Sequence, residues 1–158
     1  MADPITLAYL AGIIDGEGCI AIYGYHGKWI ASHGKRSVVF RLDVKVGMGE
    51  PQAVEMLCAT FGGSICTRGK MPIGGIKPSY QWCVSGKLAI ACLRQIVSYL
   101  HVKRSQAELA LEFNDVRLSL GHKYGRNPYT KEELVRLVQY GEKLKEAKRK
   151  IIPLYATN

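Results

Sequence analysis

Leu10-Ala11-Gly12-Ile13-Ile14-Asp15-Gly16-Glu17-Gly18 decides how the rest of this chain is read. An apolar helix ends there in two acids flanked by glycines. Upstream, residues 5–15 place Leu7, Leu10, Ala11 and Ile14 at helical spacing on one face. Pro4 suits the start of that helix, because its missing N–H would have no intrahelical partner there. Gly16 and Gly18 should break the helix and leave Glu17 just past its end. A carboxylate beside an exposed backbone carbonyl is a hard-oxygen donor pair suited to Mg²⁺. Ala8 and Gly12, one turn apart, would let a second helix approach the backbone closely.

Downstream the pattern changes from helical to alternating. Residues 19–25 put Ile20 and Ile22 on one side and Ala21, Tyr23 and Tyr25 on the other, as in a half-buried strand. Residues 26–36 are glycine-rich and basic and read as a loop. Val38, Phe40, Leu42 and Val44 then alternate with Val39, Arg41, Asp43 and Lys45. Gly47 and Gly49 should end this strand. Pro51 opens a helix with Val54, Leu57, Cys58 and Phe61 on its apolar face, and Gly62-Gly63 stop it.

Short strands follow at 64–68 and 79–85, the second with Tyr80, Trp82 and Val84 inward and Gln81 and Cys83 outward. Helices are expected from about Lys87 to Leu100 and from about Ser105 to Leu120. A last, highly charged helix starts at Thr130, with Glu133 at capping-box spacing. Antiparallel strands with helices collected on one face make an α+β domain, and the whole chain, 1–158, is expected to form one.

The chain carries 22 Lys and Arg against 13 Asp and Glu, a net charge of +9. That surplus concentrates anions at the surface and points first to nucleic acid. No apolar run reaches the length of a membrane span, and the N-terminus lacks a basic signal-peptide region. The five cysteines are odd in number and contain no C-x-x-C pair, which argues against zinc or a disulfide framework. Buried or semi-buried thiols in a reducing compartment, a bacterial cytoplasm or an organelle, are the expectation. The four histidines have no metal-ligand spacing, and Gly47-x-Gly49 fails the dinucleotide fingerprint because position 52 is Gln.

The segment 10–18 resembles the LAGLIDADG motif of homing endonucleases and intron maturases, with Ile13, Gly16 and Glu17 as conservative changes. The order helix-strand-strand-helix-strand-strand-helix is similar to that family's core. Residues 93–107 resemble the segment carrying its active-site lysine, and 127–133 resemble the start of its C-terminal helix. The resemblance covers about residues 5–145. It implies an αββαββα core with a four-stranded antiparallel saddle sheet and extra C-terminal helices.

The function it implies is site-specific double-strand DNA cleavage at a long, roughly palindromic target, intron- or intein-associated. On that resemblance Glu17 is the metal-binding acid and the Gly16 carbonyl a second ligand for Mg²⁺, with Mn²⁺ as a substitute. Lys103 stands near the scissile phosphate, and Asp15 takes a helix-end or interface role. Many relatives order active-site water with a polar residue, often Gln, near the end of the second strand. Here direct count gives Val46, and the face gives Lys45.

One motif per chain implies a homodimer, with Ala8, Ala11, Gly12 and Asp15 at the helix–helix interface. The outward sheet face then meets double-stranded DNA, since a β-ribbon fits the major groove. Tyr23, Tyr25, Arg41, Asp43, Lys45, Arg68, Lys70 and Gln81 are its candidate base contacts. Lys28, Arg36 and the basic residues of the last helix are candidate phosphate contacts. Two alternatives share the fold: an RNA-binding intron maturase, and a DNA-binding protein that does not cut.

Overall fold

The computed structural model describes residues 2–26, 38–68, 78–121 and 128–149, with backbone alone for 25, 26 and 68. The element order is α1 (Pro4–Glu17), β1 (Gly18–His26), β2 (Val38–Met48), α2 (Pro51–Phe61), β3 (Ser64–Arg68), β4 (Ser79–Ser85), α3 (Lys87–Ile96), α4 (Arg104–Ser119) and α5 (Lys131–Arg149). The chain is α+β, as the alternation and periodicity predict. No described helix is long and apolar enough to cross a membrane.

Asp3 starts α1 by accepting the N–H groups of Ile5 and Thr6 on its side chain, each at 3.0 Å, so Pro4 is not the only start signal. The other end corrects the expected boundary. The helix runs through Gly16 and Glu17, and only Gly18 ends it, with its N–H bonded to the Ile14 carbonyl. Strand β1 leaves so abruptly that a Cβ on Gly18 would lie 2.4 Å from the Ile14 oxygen. The close approach, and not a left-handed turn, requires glycine there.

The four strands form one antiparallel sheet in the order β1-β2-β4-β3. Strand β2 continues through Gly47, which pairs with Gln81, to Met48, so Gly47 does not end it. Because side chains alternate along a strand, one sheet face collects Ile20, Leu42, Val44, Val46, Trp82 and Val84, all buried. Leu10, Ala11 and Ile14 of α1, Val54 and Leu57 of α2, and Ile90 and Leu93 of α3 close over that face. Fully burying one such aliphatic side chain contributes about 1.5–3 kcal/mol, so this layer holds the fold together. The Trp82 indole meets its polar need by donating to the Gly62 carbonyl at 2.8 Å.

Gly62 and Gly63, with φ of 73° and 97°, make the turn from α2 into β3 that their sequence predicts. Helix α3 ends earlier than expected, and a turn carries the chain to the fully buried Leu100. Helices α4 and α5 form a second core in which Phe113, Leu137 and Tyr140 pack against Phe40 of β2. The Thr130–Glu133 capping box is complete: the Thr130 N–H donates to Glu133 Oε2 and the Glu133 N–H to Thr130 Oγ1. Cys58, Cys83 and Cys92 are buried or half-buried as expected, but Cys19 and Cys66 are exposed. Burial pushes the Cys92 thiol up to about 12.

Candidate functional site

The C-terminal turn of α1 is electrostatically awkward as it stands. A helix ends in partial negative charge from carbonyls without intrahelical partners, so cations are favoured there. This helix has no basic residue in its last turn and instead places Asp15 and Glu17 in it. The fold brings the missing positive charge from elsewhere.

Asp15 reaches the link between α3 and α4. Its carboxylate accepts the backbone N–H groups of His101 at 2.7 Å, Val102 at 3.2 Å and Lys103 at 2.8 Å. The Lys103 ammonium then turns back to donate to the Asp15 carbonyl. Partial burial lowers the Lys103 pKa; the negative charges of Asp15 and Glu17 oppose that shift without cancelling it. Asp15 is therefore a tether inside one chain, the helix-end role among the two expected for it. Glu17 stays exposed, one residue beyond the Gly16 carbonyl. Among the described residues no group of three or more acidic, His or Cys side chains gathers to hold a metal. Glu17 and the Gly16 carbonyl fit a hard divalent cation as part of a ligand set that water, phosphate or a second copy would complete.

Ala11 corrects the expected interface. It is fully buried in the protomer's own core, whereas Ala8 and Gly12 are exposed. Ile5 and Tyr9, which the sequence reading passed over, are 83% and 54% exposed. Positions 5, 8, 9 and 12 have the same helical spacing as the buried stripe, and that signal was available. Helix α1 is thus apolar on two sides and covered on one.

The outward sheet face is built around an acid. Asp43 is completely buried, with Arg41 Nε 2.8 Å from Oδ1, Arg41 Nη2 donating to Oδ2 at 3.0 Å, and Lys45 Nζ 3.3 Å away. Asp43 cannot contact a base and instead holds two cations at fixed positions. Lys45 also approaches the Tyr23 hydroxyl at 3.5 Å and lies 4.8 Å from its ring centre. Burial lowers the Lys45 pKa, but the hydroxyl and carboxylate beside it outweigh that and raise it overall. Lys45 therefore belongs to the sheet-face network, and in the strand register it stands opposite Cys19, two residues beyond Glu17.

Arg41 and Tyr23 are exposed on this face, and Gln81 is half-buried between Gly47 and Cys66. Tyr25 pairs with Val39 and Arg68 with Ser79 in the backbone register. Lys28, Arg36 and Lys70 lie outside the described residues. Lys148 of α5, one of the basic residues of the last helix, donates to the Cys19 thiol at 3.5 Å.

No family model matches the sequence, and no curated protein matches it either. Solved structures do match in fold. The homing endonuclease I-CvuI in complex with its target is 19% identical with a TM-score of 0.67, over 90% of this chain and 82% of that one. The archaeal intron-encoded homing endonuclease I-Vdi141I complexed with DNA is 18% identical with a TM-score of 0.66, over 90% and 84%. The LAGLIDADG meganuclease I-CpaMI bound to uncleaved DNA is 18% identical with a TM-score of 0.58; 92% of this chain aligns with 48% of that one.

Proposed function

We propose that this chain, which has the fold of the LAGLIDADG homing endonucleases, is a divalent-metal-dependent, site-specific DNA endonuclease acting as a homodimer. The observation that carries the reading is the end of α1, where Glu17 is left exposed while Asp15 is spent on fixing Lys103 beside it. A protein that only binds nucleic acid has no use for a lone acid at the negative end of a helix dipole, close to where phosphates would lie.

Glu17 and the Gly16 carbonyl would hold Mg²⁺ or Mn²⁺. When bound, the ion activates water for phosphodiester hydrolysis and stabilises the leaving oxygen. The I-CvuI complexes, obtained in the presence of calcium or magnesium, support divalent-metal use. The chain's own residues do the rest. Lys103 offers its ammonium to the charge that develops on the phosphate. Arg41 and Lys45, held by Asp43, face the major groove with little freedom left to lose. Incubating the protein with Mg²⁺ and duplex DNA spanning the uninterrupted insertion site should yield a double-strand break at one position. Persistently intact DNA in both Mg²⁺ and Mn²⁺ would leave a binding protein instead.

Helix α1 supports the dimer. Its exposed stripe of Ile5, Ala8, Tyr9 and Gly12 is poorly placed in water and suits a second copy of itself across a two-fold axis. Such an axis would bring two Glu17 carboxylates together, one for each DNA strand. The alignment with about half of I-CpaMI is consistent with one copy doing half the work. Gly12→Leu should convert the dimer to monomer, because a Cβ there meets nothing within the protomer and the added bulk would separate two helices. Sedimentation checks this; an unmodified protein that is monomeric at micromolar concentration excludes the arrangement.

A further inference from the structure

Strand β1 is an edge of the sheet, and α5 runs beside it. Between them lies a groove of about 340 Å³, whose lining includes Tyr23, Gly24, Gly141, Leu144, Lys145 and Lys148. Its β1 wall begins at Cys19, two residues beyond Glu17. The groove is therefore continuous with the end of α1 and with the outward sheet face.

The charges in it are not equivalent. Lys145 is paired with Glu142 at 2.8 Å. Among the described residues Lys148 meets only the Cys19 thiol, a weak acceptor that does not compensate the ammonium's charge. The two glycines differ as well. At Gly24 a Cβ would come within 3.2 Å of the Phe40 ring, so packing accounts for it. Gly141 sits inside α5, where only proline is a poorer helix former, and a Cβ there would meet nothing within 4 Å. Packing among the described residues gives no reason for that glycine, which lines the groove without a side chain.

We propose that this groove seats the sugar-phosphate backbone of the DNA strand approaching Glu17, with Lys148 on a phosphate close to the reacting one. The proposal rests on the endonuclease reading. The occupant is set by charge and continuity: an uncompensated ammonium in an open channel, leading from the cationic sheet face to the catalytic acid. Helix α5 is then part of the DNA-binding surface and not only a brace for the second core.

The test uses the full chain and a random-sequence duplex several helical turns long, with affinity measured in Ca²⁺ over a series of salt concentrations. Lys148→Met keeps the aliphatic stem and should flatten the slope of log K against log salt by about one per protomer. Lys148→Arg should keep the slope. Gly141→Ala should raise the melting temperature while weakening DNA binding several-fold, and Gly141→Leu should weaken it further. Melting curves of the Lys148 variants expose any merely structural role for that residue. An unchanged slope for Lys148→Met, or unmodified affinity for Gly141→Leu, overturns the groove assignment while the unmodified protein still binds and cuts. An unmodified protein that does not bind duplex DNA at all overturns the endonuclease reading itself.

Discussion

Glu17→Gln should bind duplex DNA in Ca²⁺ as tightly as the unmodified protein, or more tightly, and should not cut it in Mg²⁺. The substitution keeps the size and hydrogen-bonding capacity of the side chain and removes the ligand charge. Glu17 is exposed, so the fold does not depend on it and stability should not move. Binding can improve because a negative charge no longer faces phosphates. Metal-based charge stabilisation supplies several kcal/mol in such reactions, and each 1.36 kcal/mol is tenfold in rate, so cleavage should fall by at least about 10³-fold. Lys103→Ala should cost less, since it stabilises charge without holding the metal. Single-turnover cleavage and binding, measured side by side, separate the two effects. A Glu17→Gln protein that cuts at the unmodified rate would move the active site elsewhere.

Asp15→Ala is expected to damage both stability and cleavage. Its carboxylate accepts three backbone N–H groups from 101–103, and its own carbonyl accepts the Lys103 ammonium. Hydrogen bonds to a charged group contribute about 1.5–3 kcal/mol each, but two of these three are exposed and are partly replaced by water. A net loss of about 2–4 kcal/mol follows. For a chain of this length that lowers the melting temperature by roughly 10 °C. The α3–α4 link then loses its anchor and Lys103 its position. In a double-mutant cycle, Lys103→Ala should therefore cost little further activity once Asp15 is gone. Additive losses would show that Asp15 does not position Lys103. An unchanged melting temperature would show that the tether carries no weight.

The alternation of β2 and β4, the helical stripe of α1, the double glycine after α2 and the Thr130–Glu133 box were legible because each is a local signal. Period, cap and turn chemistry act within a few residues, and the chain itself writes them. Gly16-Glu17-Gly18 was legible as a helix end for the same reason: an acid between glycines is a short pattern. Even so, the pattern misplaced the end of the helix, since nothing in it reveals that β1 leaves against the Ile14 carbonyl.

Tertiary structure alone decided what each outward-facing polar residue does. Asp43 alternates with the core like any solvated residue, yet its neighbours cover it completely and make it a holder of cations. Ala11 is small on an apolar helix, and only packing shows that its side faces the protomer's own core. Asp15 meets backbone 86–88 positions away, and Lys148 meets Cys19 across 129. No period or cap links such positions. Backbone N–H groups carry no residue identity for a sequence to display, and burial belongs to the surroundings of a residue and not to its type.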